Sequence, residues 1–308
     1  MTHTELFEDV AILPDDRGLE VFDGLVGLDD YKVRLVNETL LLVDPGQLQA
    51  WNKKHHNGQL AAVDLFAARP PLFVLAGDVG TGKTALARSF GNEVARRAKM
   101  RVELYALSLN TRGSGAVGEM TKLISAAFRE VREDLKNARG GAGKANRGII
   151  LLIDEADALA QSRETAQMHH EDRAGVNALI RGIDDLASAK LPVAVVMCTN
   201  RLDAVDPAVR RRAAAVFEFH RPNRAQRLQV LRSGMQGSGL TNTDIERLAD
   251  ATGEREDRPY GFTYSDLTQR LMPAIVLRAF PDRAVDATLA SETCSMIEPT
   301  PPFGRGSR

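Results

Sequence analysis

Two cysteines, Cys198 and Cys294, are all that a chain of 308 residues carries. A disulfide framework is therefore excluded. Neither cysteine has neighbours spaced like a metal site, and Cys198, inside an apolar run, reads as a small core residue. No run approaches the roughly 18 apolar residues of a membrane-spanning helix. The N-terminal MTHTELFEDVAILPDD is acidic and lacks the apolar centre of a secretory signal. Together these absences favour the cytoplasm. A net charge of −1 and a pI near 6.6 give no electrostatic case for direct nucleic-acid binding. Internal repeats are missing too. The Gly-rich, basic KNARGGAGKANR (136–147) reads as a mobile loop and the segment 296–308 as a disordered tail.

What the chain does have is alternation. Short apolar runs, LFVLA (72–76), VELYAL (102–107), IILLI (149–153), VAVVMC (193–198) and AVFEF (215–219), are separated by helical patterns. The central runs are continuously apolar, as parallel strands covered on both faces require. Between them, Met120, Leu123, Ile124, Ala127, Phe128, Val131 and Leu135 recur at helical spacing, as do Val176, Leu179, Ile180 and Ile183. The pattern predicts an α/β fold: a parallel five-stranded, doubly wound sheet with helices on both faces. After Pro222 strand-like runs cease and helical segments follow over 223–235, 241–251 and 264–280, with Asn223 as an N-cap and Pro273 as a kink or new start. The expected division is an N-terminal segment (1–20), a large α/β domain (21–220), a small helical domain (221–295) and the tail (296–308).

The stretch LFVLAGDVGTGKTALARSF (72–90) breaks a good strand with three glycines and a lysine. Gly77, Gly80 and Gly82 permit backbone angles at which successive N–H groups turn inward, and such a concavity leading into a helix N-terminus binds phosphate. Lys83 adds a cation for the outer phosphates and Thr84 a hydroxyl for Mg²⁺. The spacing from Gly77 to Gly82-Lys83-Thr84 fits GxxxxGK[ST], and a strand before with an amphipathic helix after is the required context. Asp78, Val79, Gly80, Thr81, Gly82, Lys83, Thr84 and Ala85 are thus the candidate residues for a nucleoside triphosphate.

In IILLIDEADAL, Asp154 and Glu155 end a buried strand, where two carboxylates are costly without work to do. Asp154 suits Mg²⁺; Glu155 suits orienting the attacking water in phosphoryl transfer. Asp157 reads as first-turn helix chemistry. The letters DEAD invite a helicase reading, but that needs a second nucleotide-binding lobe, and the next strand ends in CTN. At that end Asn200 can hydrogen-bond the γ-phosphate or the water. Three arginines, Arg210, Arg211 and Arg212, end a short helix before the last strand. They read either as a solvated helix end or as an arginine finger for a neighbouring subunit, with Arg210 and Arg211 the leading candidates.

This ordered set resembles the AAA+ ATPases over nearly all of residues 20–285. DGLVGLDDYKVRL (23–35) is similar to the opening of that family's ATPase core, GDVGTGKT to its Walker A element, LLIDEAD to Walker B, Asn200 to sensor 1, DPAVRRR to the arginine-finger region and GFTYSDL (261–267) to the lid motif. The resemblance implies ATP with Mg²⁺, adenine contact around Val26 and Gly27, and a homo-oligomeric ring, most simply a hexamer. Within the family, FVLAGDVGTGKTALARSF, RVELYALSLNT, SRETAQMHHEDRAGVNALIRGID and LDAVDPAVRRRAAAVFEFHRPN resemble pachytene-checkpoint-type remodellers and their bacterial relatives. That likeness implies a HORMA-domain protein as substrate and, indirectly, the nucleotidyltransferase of an antiphage signalling system. Protease-partnered unfolding and DNA-acting ATPase chemistry are the alternatives.

Three departures temper the likeness. Only about 20 residues precede the core where eukaryotic members carry a recognition domain, Ala116 in GAVGE (115–119) replaces the aromatic of many pore loops and leaves Val117 to grip, and Ser265 stands at the sensor-2 arginine position.

Overall fold

The computed structural model describes residues 6–109, 118–136, 145–159, 169–203 and 205–303. Ala116 and Val117, and most of the 136–147 loop, lie outside them. The chain separates into two compact units. The first comprises residues 1–24, 30–76 and 84–218; the second comprises 25–29, 77–83 and 219–308.

The first unit is built on a six-stranded sheet in the order β1-β3-β4-β5-β2-β6. The strands are β1 (Asp9–Leu13), β2 (Leu72–Gly77), β3 (Arg101–Ser108), β4 (Arg147–Asp154), β5 (Val193–Thr199) and β6 (Ala213–Phe219). Helices α1 (Asp16–Gly24), α2 (Asp29–Val43), α3 (Gly46–His56) and α4 (Ala62–Ala67) precede β2. Between and after the core strands come α5 (Lys83–Ala98), α6 (Glu119–Leu135), α7 (His169–Ala189) and α8 (Pro207–Arg210). The five expected strands are all present, and β3, β4, β5 and β2 pair in parallel. The sixth, β1, corrects the expectation of a wholly parallel five-stranded sheet: it adds to β3 antiparallel, from a stretch that reads in sequence as an acidic terminal segment. As an edge strand β1 leaves Val10 and Ile12 exposed, so its five residues carry no buried alternation to betray it.

Parallel register fixes where the polar residues emerge. Ala76 lies opposite Thr199, and Ser108 opposite Asp154. The carboxyl ends of four strands thus open on one side of the sheet, the place where open α/β sheets bind ligands. Beneath them Leu151, Ile153, Val195 and Val74 are fully buried, packed with Leu123, Ile124, Ala127 and Phe128 of α6. Those are residues that the helical spacing singled out.

The second unit has its own core, formed by Leu231, Leu248, Phe262, Leu267, Leu271 and Ile275 with Val26 packed against them. Its helices are α9 (Arg224–Gly234), α10 (Asn242–Ala251), α11 (Met272–Ala279) and α12 (Ala287–Met296). Capping boxes start two of them: Asn223 with Gln226, and Thr241 with Asp244. Ahead of α11 the turn widens into a π-helix, Asp266–Leu271, and Pro273 sits in the first turn of α11 itself. A proline cannot donate into the preceding turn, which accounts for a new start at this point.

Candidate functional site

In the second unit, the loop after β2 turns on positive φ angles at Gly77 (150°), Gly80 (73°) and Gly82 (96°). At Gly77 a Cβ would lie 2.1 Å from the Phe219 carbonyl oxygen, and at Gly80 2.6 Å from Thr263 Oγ1. At Gly77 a side chain would run into backbone, and at Gly80 one would be strained. Lys83 is buried, and its Nζ donates to the carbonyl oxygens of Gly77 and Asp78, both at 2.8 Å. Thr81 Oγ1 donates to the same Asp78 carbonyl at 2.7 Å. The ammonium is thereby held at the mouth of the glycine turn by acceptors that phosphate oxygens can replace. Val79 is exposed and Thr81 buried. Val26 and Gly27 belong to this same unit: Val26 packs on its core, and the Gly27 carbonyl accepts from Gln226 Nε2 at 3.4 Å. Leu28 comes against the loop as well, its Cδ1 3.5 Å from where a Cβ on Gly82 would be.

In the first unit, Thr84 and Ala85 open the body of α5, and Thr84 Oγ1 lies 3.4 Å from Asp154 Oδ1. A hydroxyl and a carboxylate so placed are hard oxygen donors suited to a divalent cation that keeps its own waters. Among the described residues no group of three or more His, Cys, Asp or Glu forms a self-contained metal site.

Glu155 follows Asp154 in the left-handed region, at φ 55°. A non-glycine residue held there is strained, and such strain concentrates at working sites. Two bonds hold it: its N–H donates to Asp154 Oδ1 at 2.9 Å, and its Oε2 accepts from Ser108 Oγ at 2.9 Å. Ser108 is buried at the end of β3, and sequence reasoning passed over it.

Asp157 corrects the sequence reading more sharply. It stands in a short 3₁₀ turn, Ala156–Leu159, and is buried. Among the described residues its carboxylate serves the turn at 199–201. Oδ1 accepts from the Thr199 hydroxyl, from Asn200 N at 2.9 Å and from Arg201 N at 3.2 Å. Oδ2 accepts from the Asn200 side-chain amide at 2.8 Å. One carboxylate thus fixes the whole turn that presents Asn200. A third carboxylate three residues beyond Asp154 is the signal that could have found it.

The three arginines at the end of α8 divide. Arg212 is committed within its own chain: Nε and Nη2 reach the two oxygens of Asp184 at 2.8 and 3.0 Å. Its guanidinium pKa is raised, first by that hydrogen bond. Arg210 and Arg211 are exposed and have no side-chain partner among the described residues. The helix that presents them is capped by Asp206, which accepts from Ala208 N at 2.7 Å.

Residues 73–221 match the model of the ATPase family associated with various cellular activities (AAA). The chain is 54% identical over 299 residues to CD-NTase-associated protein 6 of Escherichia coli (strain MS 115-1), covering 97% of this chain and 96% of that protein. It is 42% identical over 305 residues to CD-NTase-associated protein 6 of Escherichia coli (strain KTE188), covering 99% of each. Among solved structures it is similar to a chain of the E. coli MS115-1 HORMA:CdnC:Trip13 complex, with a TM-score of 0.90, 52% identity and coverage of 98% and 99% of the two chains. Rhizobiales Trip13 matches with a TM-score of 0.74 and 45% identity, over 96% of this chain and 100% of that one. Among the described residues no helix is long and apolar enough to cross a membrane.

Proposed function

Because the chain belongs to the AAA ATPase family, we propose that it couples ATP hydrolysis to the remodelling of a HORMA-domain protein, working as a homo-oligomeric ring, most simply a hexamer. The observation that carries the proposal is the full-length likeness to a chain of the HORMA:CdnC:Trip13 complex. A nucleotidyltransferase would then be the indirect beneficiary, silenced when its HORMA activator is taken away.

The chemistry rests on residues already described. The loop N–H groups from Asp78 to Ala85 and the Lys83 ammonium bind and orient the β- and γ-phosphates. Val26 and Gly27 border the base. Mg²⁺, when bound with ATP, neutralises developing charge on the phosphates; Thr84 and Asp154 would hold it. Glu155 orients the attacking water and accepts its proton, with Ser108 holding one carboxylate oxygen so that the other faces the water. Asn200, fixed by Asp157, contacts the γ-phosphate or the water. Arg210 or Arg211, unclaimed among the described residues, completes the site of the neighbouring subunit, and an arginine so supplied contributes roughly 10³–10⁵ in rate. Arg212 is set aside by its ion pair with Asp184.

The test is size-exclusion chromatography of a cognate HORMA complex after incubation with the enzyme, Mg²⁺ and ATP. Separation of the partners without cleavage of either is expected. An intact complex after measurable ATP consumption would reject the HORMA substrate and leave the ATPase.

A further inference from the structure

The phosphate loop carries a carboxylate of its own. Asp78 follows Gly77 directly, on a segment that would receive a triphosphate, where a negative charge works against the ligand. Its surroundings show how that charge is contained. Arg221 Nε and Nη2 both donate to Asp78 Oδ2, at 2.7 and 2.5 Å. The third arm, Nη1, donates to the Gly261 carbonyl at 2.6 Å, and the guanidinium carbon lies 5.1 Å from the centroid of the Tyr260 ring. Asp78 Oδ1 accepts from Val79 N at 2.9 Å and from the Phe303 N–H at 3.1 Å. Both charged side chains are largely enclosed, at 14% and 18% exposure, so solvent screens the pair little. All of these residues lie in the second unit.

The main chain of Asp78 is just as engaged. Its carbonyl oxygen accepts from both Thr81 Oγ1 and Lys83 Nζ. Arg221, the Asp78 side chain, the Asp78 carbonyl and Lys83 are therefore linked in series. We propose that Arg221 is a positioning residue of the nucleotide site, neutralising Asp78 and holding its carboxylate so that Lys83 and the loop N–H groups remain available to phosphate. Without Arg221 the carboxylate either repels the phosphates or captures the Lys83 ammonium. Both outcomes weaken nucleotide binding, and neither touches Glu155 or Asn200. The inference rests on the ATPase reading above.

The experiment measures nucleotide affinity by titrating the full chain with a fluorescent ATP analogue, and turnover at saturating ATP. Arg221→Ala should weaken binding about tenfold, the scale of one uncompensated charge beside the phosphates. Its kcat at saturation should fall by less than about twofold, a split that general loss of structure would not produce. Asp78→Asn combined with Arg221→Ala should recover affinity to within about threefold of the unaltered chain, since the charge needing containment is gone. A double variant as weak as Arg221→Ala, or an Arg221→Ala variant that binds normally, would overturn the proposal. Should Arg221→Ala fail to fold, Arg221→Lys keeps the charge and stem but not the fork; its loss of affinity must vanish when Asp78→Asn is added, and persistence of that loss would be equally fatal. Failure of the unaltered chain to bind nucleotide would instead remove the ATPase reading itself.

Discussion

The two units hold their polar residues by different means. In the first, strand register does the placing: Ser108 stands opposite Asp154 and Ala76 opposite Thr199, so Glu155 and Asn200 emerge from fully buried strands. In the second, side-chain bonds do the placing. Arg221 ties Asp78 to Gly261, Gln226 reaches Gly27, and Asp266 gathers Thr263, Arg270 and Thr300. A register is set by many cooperative hydrogen bonds and is insensitive to any one side chain. A clasp depends on two or three. Damage in the first unit should therefore appear in chemistry at intact affinity, and damage in the second in affinity or in stability.

The sharpest test of that division is a pair of variants. Glu155→Gln should bind ATP normally and lose turnover by about a hundredfold or more, because the water loses its acceptor while the glycine turn is untouched. Lys83→Ala should lose detectable binding. Nucleotide titration beside a phosphate-release assay separates the two, and wild-type hydrolysis by Glu155→Gln would refute the assignment of the base. Next in size is the action of one subunit on another. Rings mixed from inactive Arg211→Ala and inactive Lys83→Ala chains should regain part of the hydrolysis, since some interfaces pair an intact loop with an intact finger. If confirmed mixed rings stay silent while isolated subunits are fully active, the finger does not act in trans.

What could be read from the chain follows the same line. Gly77, Gly82, Lys83, Thr84, Asp154 and Glu155 were legible because their spacing is local: a turn, a helix start, a strand end. The polar partners that hold such residues in place were not. Ser108 and Glu155 are 47 positions apart, Asp157 and Asn200 43, and Asp78 and Arg221 143. Nothing in the periodicity of either segment reports such a pairing. The edge strand β1 escaped for another reason. It contributes one buried side chain, Leu13, so the alternation that announces a strand is absent.

Asp157 is the place in the first unit where a single side chain should matter, because it accepts four donors from the turn at residues 199–201. Asp157→Ala leaves the backbone N–H and side-chain amide of Asn200 without their acceptor, while Thr199 and Arg201 keep their bonds to one another, and should cost on the order of 2 kcal/mol in chemical unfolding. Turnover should fall about tenfold through the freed Asn200 amide, with ATP affinity preserved. A variant that loses stability but keeps kcat would show that the turn is structural and that Asn200 finds its position without help.

The smallest effect expected lies in the second unit, at the segment after α12. The sequence reads as a tail, yet the Thr300 N–H and hydroxyl donate to the two oxygens of Asp266, at 3.1 and 2.7 Å. Asp266 is fully buried. Burial by itself would raise its pKa, but the bonds from Thr263, Thr300 and Arg270 outweigh that and hold it below the usual carboxylate value. A lowered pKa means that the folded state favours the ionised form. The stabilisation is complete above the unfolded value of roughly 4 and is lost as the pH falls through the folded one. Thr300→Val keeps the shape and the backbone bond but removes the hydroxyl donor, and should cost about 1 kcal/mol near neutrality. Because that donor serves the carboxylate, the gap between the variant and the parent should narrow as the pH falls through the lowered folded-state pKa of Asp266. Thermal melts at neutral pH and at the lowest pH at which the chain still folds measure the gap on either side. A gap of equal size at the two would mean that Thr300 contributes by packing alone and that the segment is held by something other than its clasp on Asp266.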